Sequence, residues 1–461
     1  MSSAAELLDC VVSETLKCQD PASPESVARV KGQYAPLGPH LTDLRRGSYP
    51  TTDAAMSALA EIADNLSVND PDLARSHSRD AVRAQAAHVV ARMLQELALE
   101  SDVRIRWKKF RDALKVSLAG MTATITHYIP AWLFVGQQCA AFEIGPVRFV
   151  QRQEWLTTIE QLRGRESSWM AAVRETWAGE RTQTDGQAKS NSEDLAIRAV
   201  ARSVNADQWL ACVRVEGFEK EESRYRGVLA SRIAIDTVRL VVPPAQGRRM
   251  ATVLDQADPR QVERYSQVEG QDMARGSALN MPGISGAPGF ARDLVNHSRA
   301  LFDAAGRCLE VATVAKHGHR CPKLAERWLN ACEWFGRACV ADADYTSVVM
   351  YIISLDVLCG GLEQEGIAQL LARLTGTPLS APVLPDTTLV GLVNKLYKMR
   401  SEIAHGSILA VFRDLDEDRA VVAQLAQASL AEYAIALDAY ASNGGEDDRD
   451  AFRGSLPAAV P

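Results

Sequence analysis

The sequence predicts a mainly α protein: a C-terminal helical bundle, preceded by an α+β domain with a small sheet and a helical N-terminal region. Three observations carry that prediction. Apolar residues recur at helical spacing through the first 117 residues and again from residue 290 onward. Runs of β-branched and aromatic residues, the mark of strands, are confined to about 121–275. Between these regions the segment 280–289, NMPGISGAPG, has three glycines, two prolines and no charge, which is the composition of a linker. The expected layout is a helical region over 1–120, an α+β sensor or regulatory domain over 121–279 and a linker over 280–289. A helical bundle over 290–442 and a disordered tail over 443–461 complete it.

In chain order, 4–18, 53–66 and 71–99 alternate apolar and polar residues with helical period, and the Pro-, Gly- and Arg-rich stretch between the first two reads as a loop. His77 and His88 fall on the polar side of the third helix and read as solvated. TATITHYIPAWLF and CAAFEIGPVRFVQ read as strands with a turn at Gly145-Pro146, followed by a helix over 153–177. ERTQTDGQAKSNSED is a polar, mobile loop by composition. WLACVRVEGF is a further strand, and 221–240 a helix. Trp132, Trp155, Trp169, Trp177 and Trp209 read as core packing rather than as a cleft lining. After the linker, helices are expected over 290–316, 322–340, 345–359, 362–374, 387–404 and 416–440, enough for a bundle.

Composition narrows the function classes. The net charge is −7 and the sequence pI about 5.7, which argues against a broad basic surface for nucleic acid but leaves room for a local patch. Nine cysteines without framework spacing fit a reducing cytoplasm. The opening MSSAAELLDCVVSE lacks the charge and apolar core of a signal peptide, and 348–359 is too short to span a bilayer, so no membrane role is expected. No phosphate-binding glycine loop, nucleophile elbow or Ca²⁺ loop is present.

The stretch LVGLVNKLYKMRSEIAHG, residues 389–406, carries the chemistry. Leu389, Val393, Leu396 and Ile403 form one helical stripe, with Asp386, Thr387 and Thr388 as cap candidates and Gly406 as a stop. Arg400 falls on that stripe, where a guanidinium that cannot lose its charge needs a partner. His405 follows at the helix end. Upstream, SVVMYIISLDVLCG is apolar nearly all round, and Asp356 is its one acid. Packing these two helices together would set Asp356 near Arg400 or His405. A structural ion pair that fixes register and a functional pair both remain open.

YKMRSEIAHG resembles the Arg-x4-6-His signature of HEPN domains, and its Arg-Ser-x-x-x-His-Gly form is similar to the ApeA-like branch of that superfamily. The upstream SLDVL and WLNACEWFGRACVADADY segments agree, and the resemblance covers about 288–442. Chance predicts about 0.7 Arg-x4-His matches from 40 arginines and 8 histidines in 461 positions, and three occur: Arg83 to His88, Arg292 to His297 and Arg400 to His405. Only the third has the apolar stripe, the serine, the glycine and the upstream acid. Ser401 stands where many such nucleases carry Asn, Asp or His.

The resemblance implies metal-independent RNA cleavage leaving 2′,3′-cyclic phosphate and 5′-hydroxyl ends, with no cofactor. His405 would be the general acid or base, Arg400 the phosphate clamp, and Asp356 the group that orients it. Ser401 and Glu402 would assist, and Lys395 and Lys398 would guide the RNA backbone. Paired HEPN domains place two Arg/His sets in one cleft, so a homodimer through the bundle is expected. By the same analogy the protein is an anti-phage or abortive-infection effector, with a phage-derived trigger or a protein inhibitor acting through its N-terminal two-thirds. The rival reading is a non-catalytic HEPN module that binds RNA, nucleotide or a protein partner. A zinc site from His317, His319, Cys321, Cys332 and Cys339 is disfavoured, since Cys332 and Cys339 are seven apart on a helix, which is core spacing.

Overall fold

The computed structural model describes residues 3–20, 40–43, 47–137, 139–163, 168–178, 199, 204, 208–255, 260–267, 273–280 and 282–457. These are mostly helical, with a small sheet region. Two compact units result. The smaller comprises Met1–Ile125 with Val215–Tyr225 and Val314–Lys316; the larger comprises Thr126–Arg214, Arg226–Thr313 and His317–Pro461.

The smaller unit holds α1 (Ala4–Lys17), a hairpin of β1 (His40–Asp43) and β2 (Gly47–Pro50), and four further helices, α2 (Asp53–Asn69), α3 (Pro71–Ser76), α4 (Arg79–Leu99) and α5 (Val103–Ala119). Each helix starts on a side chain that accepts a backbone N–H: Ser3, Thr52, Asp70, Ser78 and Asp102. Leu8, Val11, Leu59, Ile62, Val90, Leu94 and Phe110 are buried together between them. The hairpin lies where the sequence read as loop. The expected helix over 71–99 breaks at His77, whose ring is buried and not solvated. Its Nδ1 meets Ser76 Oγ at 2.9 Å and its Nε2 meets the Leu118 carbonyl at 3.0 Å.

The sheet has five strands in the order β4–β5–β6–β3–β7: β3 (Ala123–Trp132), β4 (Phe142–Ile144), β5 (Val147–Gln151), β6 (Trp209–Phe218) and β7 (Ala251–Thr252). The Gly145-Pro146 turn joins β4 to β5 as expected. Within the helix predicted after it lie α6 (Arg152–Arg163) and α7 (Ser168–Ala178), residues 164–167 being outside the described residues. Next come α8 (Lys220–Arg239), the single turn α9 (Pro244–Gly247), and the hairpin β8 (Arg260–Gln267) with β9 (Met273–Asn280). Trp132, Trp155 and Trp209 are buried, as core residues. The polar loop at 180–194 lies outside the described residues.

Within the larger unit the helical C-terminal segment packs on β4 of this sheet. It contains α10 (Phe290–His297), α11 (Arg299–Thr313), α12 (Pro322–Val340), α13 (Asp344–Cys359) and α14 (Glu363–Thr375). A two-stranded β10 (Pro382–Leu384) and β11 (Thr387–Thr388), α15 (Leu389–Ala404), α16 (Asp416–Ser442) and α17 (Arg449–Ser455) follow. Segment 280–289 is not a free linker. Ile284 is buried and bridges in parallel to Phe134, donating its N–H to the Leu133 carbonyl (2.7 Å) and accepting from Val135 N–H (2.8 Å). Phe290 and Phe302 then join Phe134, Phe142 and Trp209 in one aromatic cluster. Gly306 abuts Gly145 so closely that a Cβ on either would meet backbone at 2.4 Å.

Two buried charges complete the join. Arg239 pairs with Asp236 and donates to the carbonyls of Gly247, Met250 and Gly336, and burial pushes the Asp236 carboxyl up to about 7 against the pull of Arg239. Gln427 on α16 donates to the Arg239 and Val242 carbonyls at 2.7 and 2.8 Å. The expected disordered tail is another correction. Residues 443–457 are ordered, with Phe452 buried between Tyr433 and Tyr440 at 4.9 and 5.2 Å. α16 is long and apolar enough to cross a membrane by composition, and here it is a core helix of the bundle packed on α11, α12, α13 and α14.

Candidate functional site

α15 begins on Thr388, whose hydroxyl accepts from Gly391 N–H at 3.2 Å, and buries Leu389, Leu392, Val393 and Leu396. It ends on His405. Ser407 N–H reaches the Glu402 carbonyl (2.9 Å) and Gly406 N–H the Ile403 carbonyl (3.2 Å), the paired bonds of a Schellman stop. Gly406 takes φ +70, a left-handed conformation that glycine adopts without strain. The glycine after the histidine therefore has a structural duty: it ends the helix so that His405 is exposed at its C-terminus.

Arg400 is half-buried, with its guanidinium carbon 5.7 Å from the centre of the Tyr397 ring. α13 is central, in contact with α12, α14, α15 and α16, and it packs on α15 as the sequence implied. The expected contact of Asp356 with Arg400 or His405 does not close into an ion pair among the described residues. Asp356 is half-buried, and its carboxylate accepts from Cys359 Sγ at 3.7 Å. Tyr397 feels both charges. Burial raises its hydroxyl pKa first, and the Asp356 and Glu363 carboxylates raise it further, while Arg400 lowers it. Asp356, Tyr397 and Arg400 thus share one electrostatic neighbourhood without a direct bond.

The remaining predicted residues surround this group. Ser401 is half-buried, and its carbonyl accepts from His405 N–H at 3.0 Å. Glu402 lies 3.8 Å from Lys398, and Lys395 is 2.8 Å from Asp418 on α16. Both lysines are exposed, so each is tied to an acid and open to water. Just beyond His405, Leu409, Val411 and Phe412 are 74%, 70% and 85% exposed.

No family model, curated protein or solved structure matches the chain.

Two further features escaped the sequence reading. Asp236 and Arg239 form the buried acid–arginine pair that Asp356 and Arg400 were expected to make. The same signal was present, since Asp236 sits in the apolar run RIAIDTVRL. Arg327 on α12 lies against the Gly360–Gly361 turn beside Asp356, and sequence gave no sign of it because the two are joined only by packing. The zinc candidates do not gather. Cys321 faces the Gly445 and Glu446 carbonyls, Cys332 and Cys339 are buried in the bundle, and no group of three potential ligands occurs among the described residues.

Proposed function

We propose that the chain is a metal-independent endoribonuclease of HEPN type acting as a toxic effector, with Arg400 and His405 as its chemical groups. The observation that supports it most is the end of α15. An arginine with no ion-pair partner among the described residues and an exposed histidine share the last turns of one helix, with a carboxylate behind them on α13. A ribose 2′-hydroxyl attacks the adjacent phosphodiester when one group moves protons and another neutralises the phosphoryl oxygens. An imidazole and a planar guanidinium are suited to those tasks. Asp356 lies in the same electrostatic neighbourhood without a direct bond to Arg400, Ser401 and Glu402 flank the pair, and Lys395 and Lys398 supply exposed positive charge.

Residues five apart on a helix diverge by about 140°, so one chain does not converge the pair on one phosphate. A second copy would supply the complement. The exposed Leu409, Val411 and Phe412, a few residues after His405 in the chain, offer such a copy apolar side chains. A defence role, with the remainder of the chain sensing a phage-derived trigger or held by an inhibitor in the cytoplasm, follows by analogy. Incubating purified protein with total RNA, with and without EDTA, tests the activity. Cleavage that survives chelation and disappears in His405→Ala supports it, and RNA binding with no cleavage favours the non-catalytic module. A mass of one chain by light scattering at micromolar concentration contradicts the dimer.

A further inference from the structure

Six of the 17 residues of α5 are cations and one is an acid, a concentration of positive charge in a chain whose net charge is −7. Two of the six are engaged within the unit. Arg106 is buried and pairs with Asp9, and Lys109 lies 2.8 Å from Glu100. The other four, Arg104, Lys108, Arg111 and Lys115, recur at i, i+4, i+7 and i+11, which on a helix places them within an arc of about 60°. All four are exposed, in a row about 16 Å long. Among the described residues Arg111 has one acid in reach, Asp112 at 3.9 Å, and Arg104, Lys108 and Lys115 have no ion pair. Like charges three and four residues apart repel and weaken the helix that carries them, so the row is unfavourable until an anion neutralises it.

What surrounds the row narrows the class of anion. The apolar side of α5, with Phe110, Leu114 and Leu118, is buried in the core of the smaller unit and is not free to enter a bilayer. Arg111 and Lys115 also line a cavity of about 620 Å³, formed wholly by residues of that unit and within the size of ligand sites, about 300–1,000 Å³. Its lining is more apolar than polar, with Leu66, Leu73, Leu114 and Leu118 beside the carboxylates of Asp70, Asp72 and Glu216. Those acids disfavour a phosphate inside the cavity and suit the amino groups of a base. We propose that α5 holds the backbone of a single-stranded RNA along Arg104, Lys108, Arg111 and Lys115, with an unstacked base in the adjoining cavity. A duplex keeps its bases paired and a membrane has none, so the cavity favours a single strand over both. The choice of RNA deepens the nuclease reading above and rests on it, while the surface belongs to a different unit from Arg400 and His405.

Fluorescence anisotropy of the full chain with a 12-nucleotide single-stranded RNA, in the His405→Ala background to prevent cutting, tests it. Arg104→Gln combined with Lys108→Gln should reduce the magnitude of the log–log salt slope by about 1.4 and weaken binding about 25-fold at about 0.1 M salt, the counterion share of two phosphates on a single strand. Arg104→Lys combined with Lys108→Arg keeps both charges and should bind as before, which separates loss of charge from misfolding. Lys109→Gln removes a charge outside the row and should leave the slope unchanged. An unchanged slope in the double glutamine variant, an equal loss with Lys109→Gln, or no RNA binding by any form overturns the proposal. Tighter binding of a duplex RNA of the same length, or of anionic phospholipid vesicles, also overturns it. If the chain binds RNA through Arg104 and Lys108 yet the unsubstituted protein never cleaves it, the nuclease reading fails and the surface stands. Cleavage combined with binding indifferent to both residues removes the surface alone.

Discussion

The larger unit contains two acid–arginine sites built in opposite ways. At Asp236 and Arg239 the side chains are 4% and 7% exposed, the guanidinium is occupied by one carboxylate and three carbonyls, and Gly336 packs against the acid. At Asp356 and Arg400 both residues are half-buried, no ion pair joins them among the described residues, and the arginine lies near the Tyr397 ring. The first has four of its five N–H groups engaged and serves to fix α8 against α12. The second has capacity unused, next to an exposed histidine. Burial with full pairing marks a structural charge, and partial burial without pairing marks one available for chemistry.

Substitutions sharpen that contrast. Arg239→Ala leaves a buried carboxylate unpaired and should cost about 3–5 kcal/mol in urea unfolding. Gly336→Ala comes next. Its Cβ would fall 2.1 Å from an Asp236 carboxylate oxygen, so the pair must shift, at about 1–3 kcal/mol by the same measurement. Arg400→Ala should change unfolding by less than about 0.5 kcal/mol, as for ordinary surface positions, while reducing RNA cleavage. If Arg400→Ala destabilised as much as Arg239→Ala, the two sites would be the same kind of object and the distinction would fail.

The bundle helices were legible because long apolar stripes and strong stops leave little choice of period. α15 and its Gly406 stop are examples. What the sequence hid was tertiary. Segment 280–289 has a linker's composition, but composition does not reveal that Ile284 would bridge to Phe134 and Phe290 join an aromatic cluster. The tail looked polar because its apolar residues are few, yet Phe452 and Leu456 are buried and Asp447 accepts from the Lys323 and Leu324 N–H groups at 3.1 and 3.2 Å. At the candidate site the two helices pack as expected, but the expected ion pair does not form among the described residues. Packing α13 on α15 was readable from two apolar helices, whereas whether Asp356 meets Arg400 depends on helix rotation, which sequence does not specify.

The most direct test is the end-group analysis of total RNA incubated in EDTA with the unsubstituted protein and with His405→Ala. The account predicts fragments ending in 2′,3′-cyclic phosphate and 5′-hydroxyl from the first, and a loss of about 10²–10⁴ in rate from the second, the usual share of a general acid or base. Intact RNA with the unsubstituted protein, or equal cleavage by both, would contradict it.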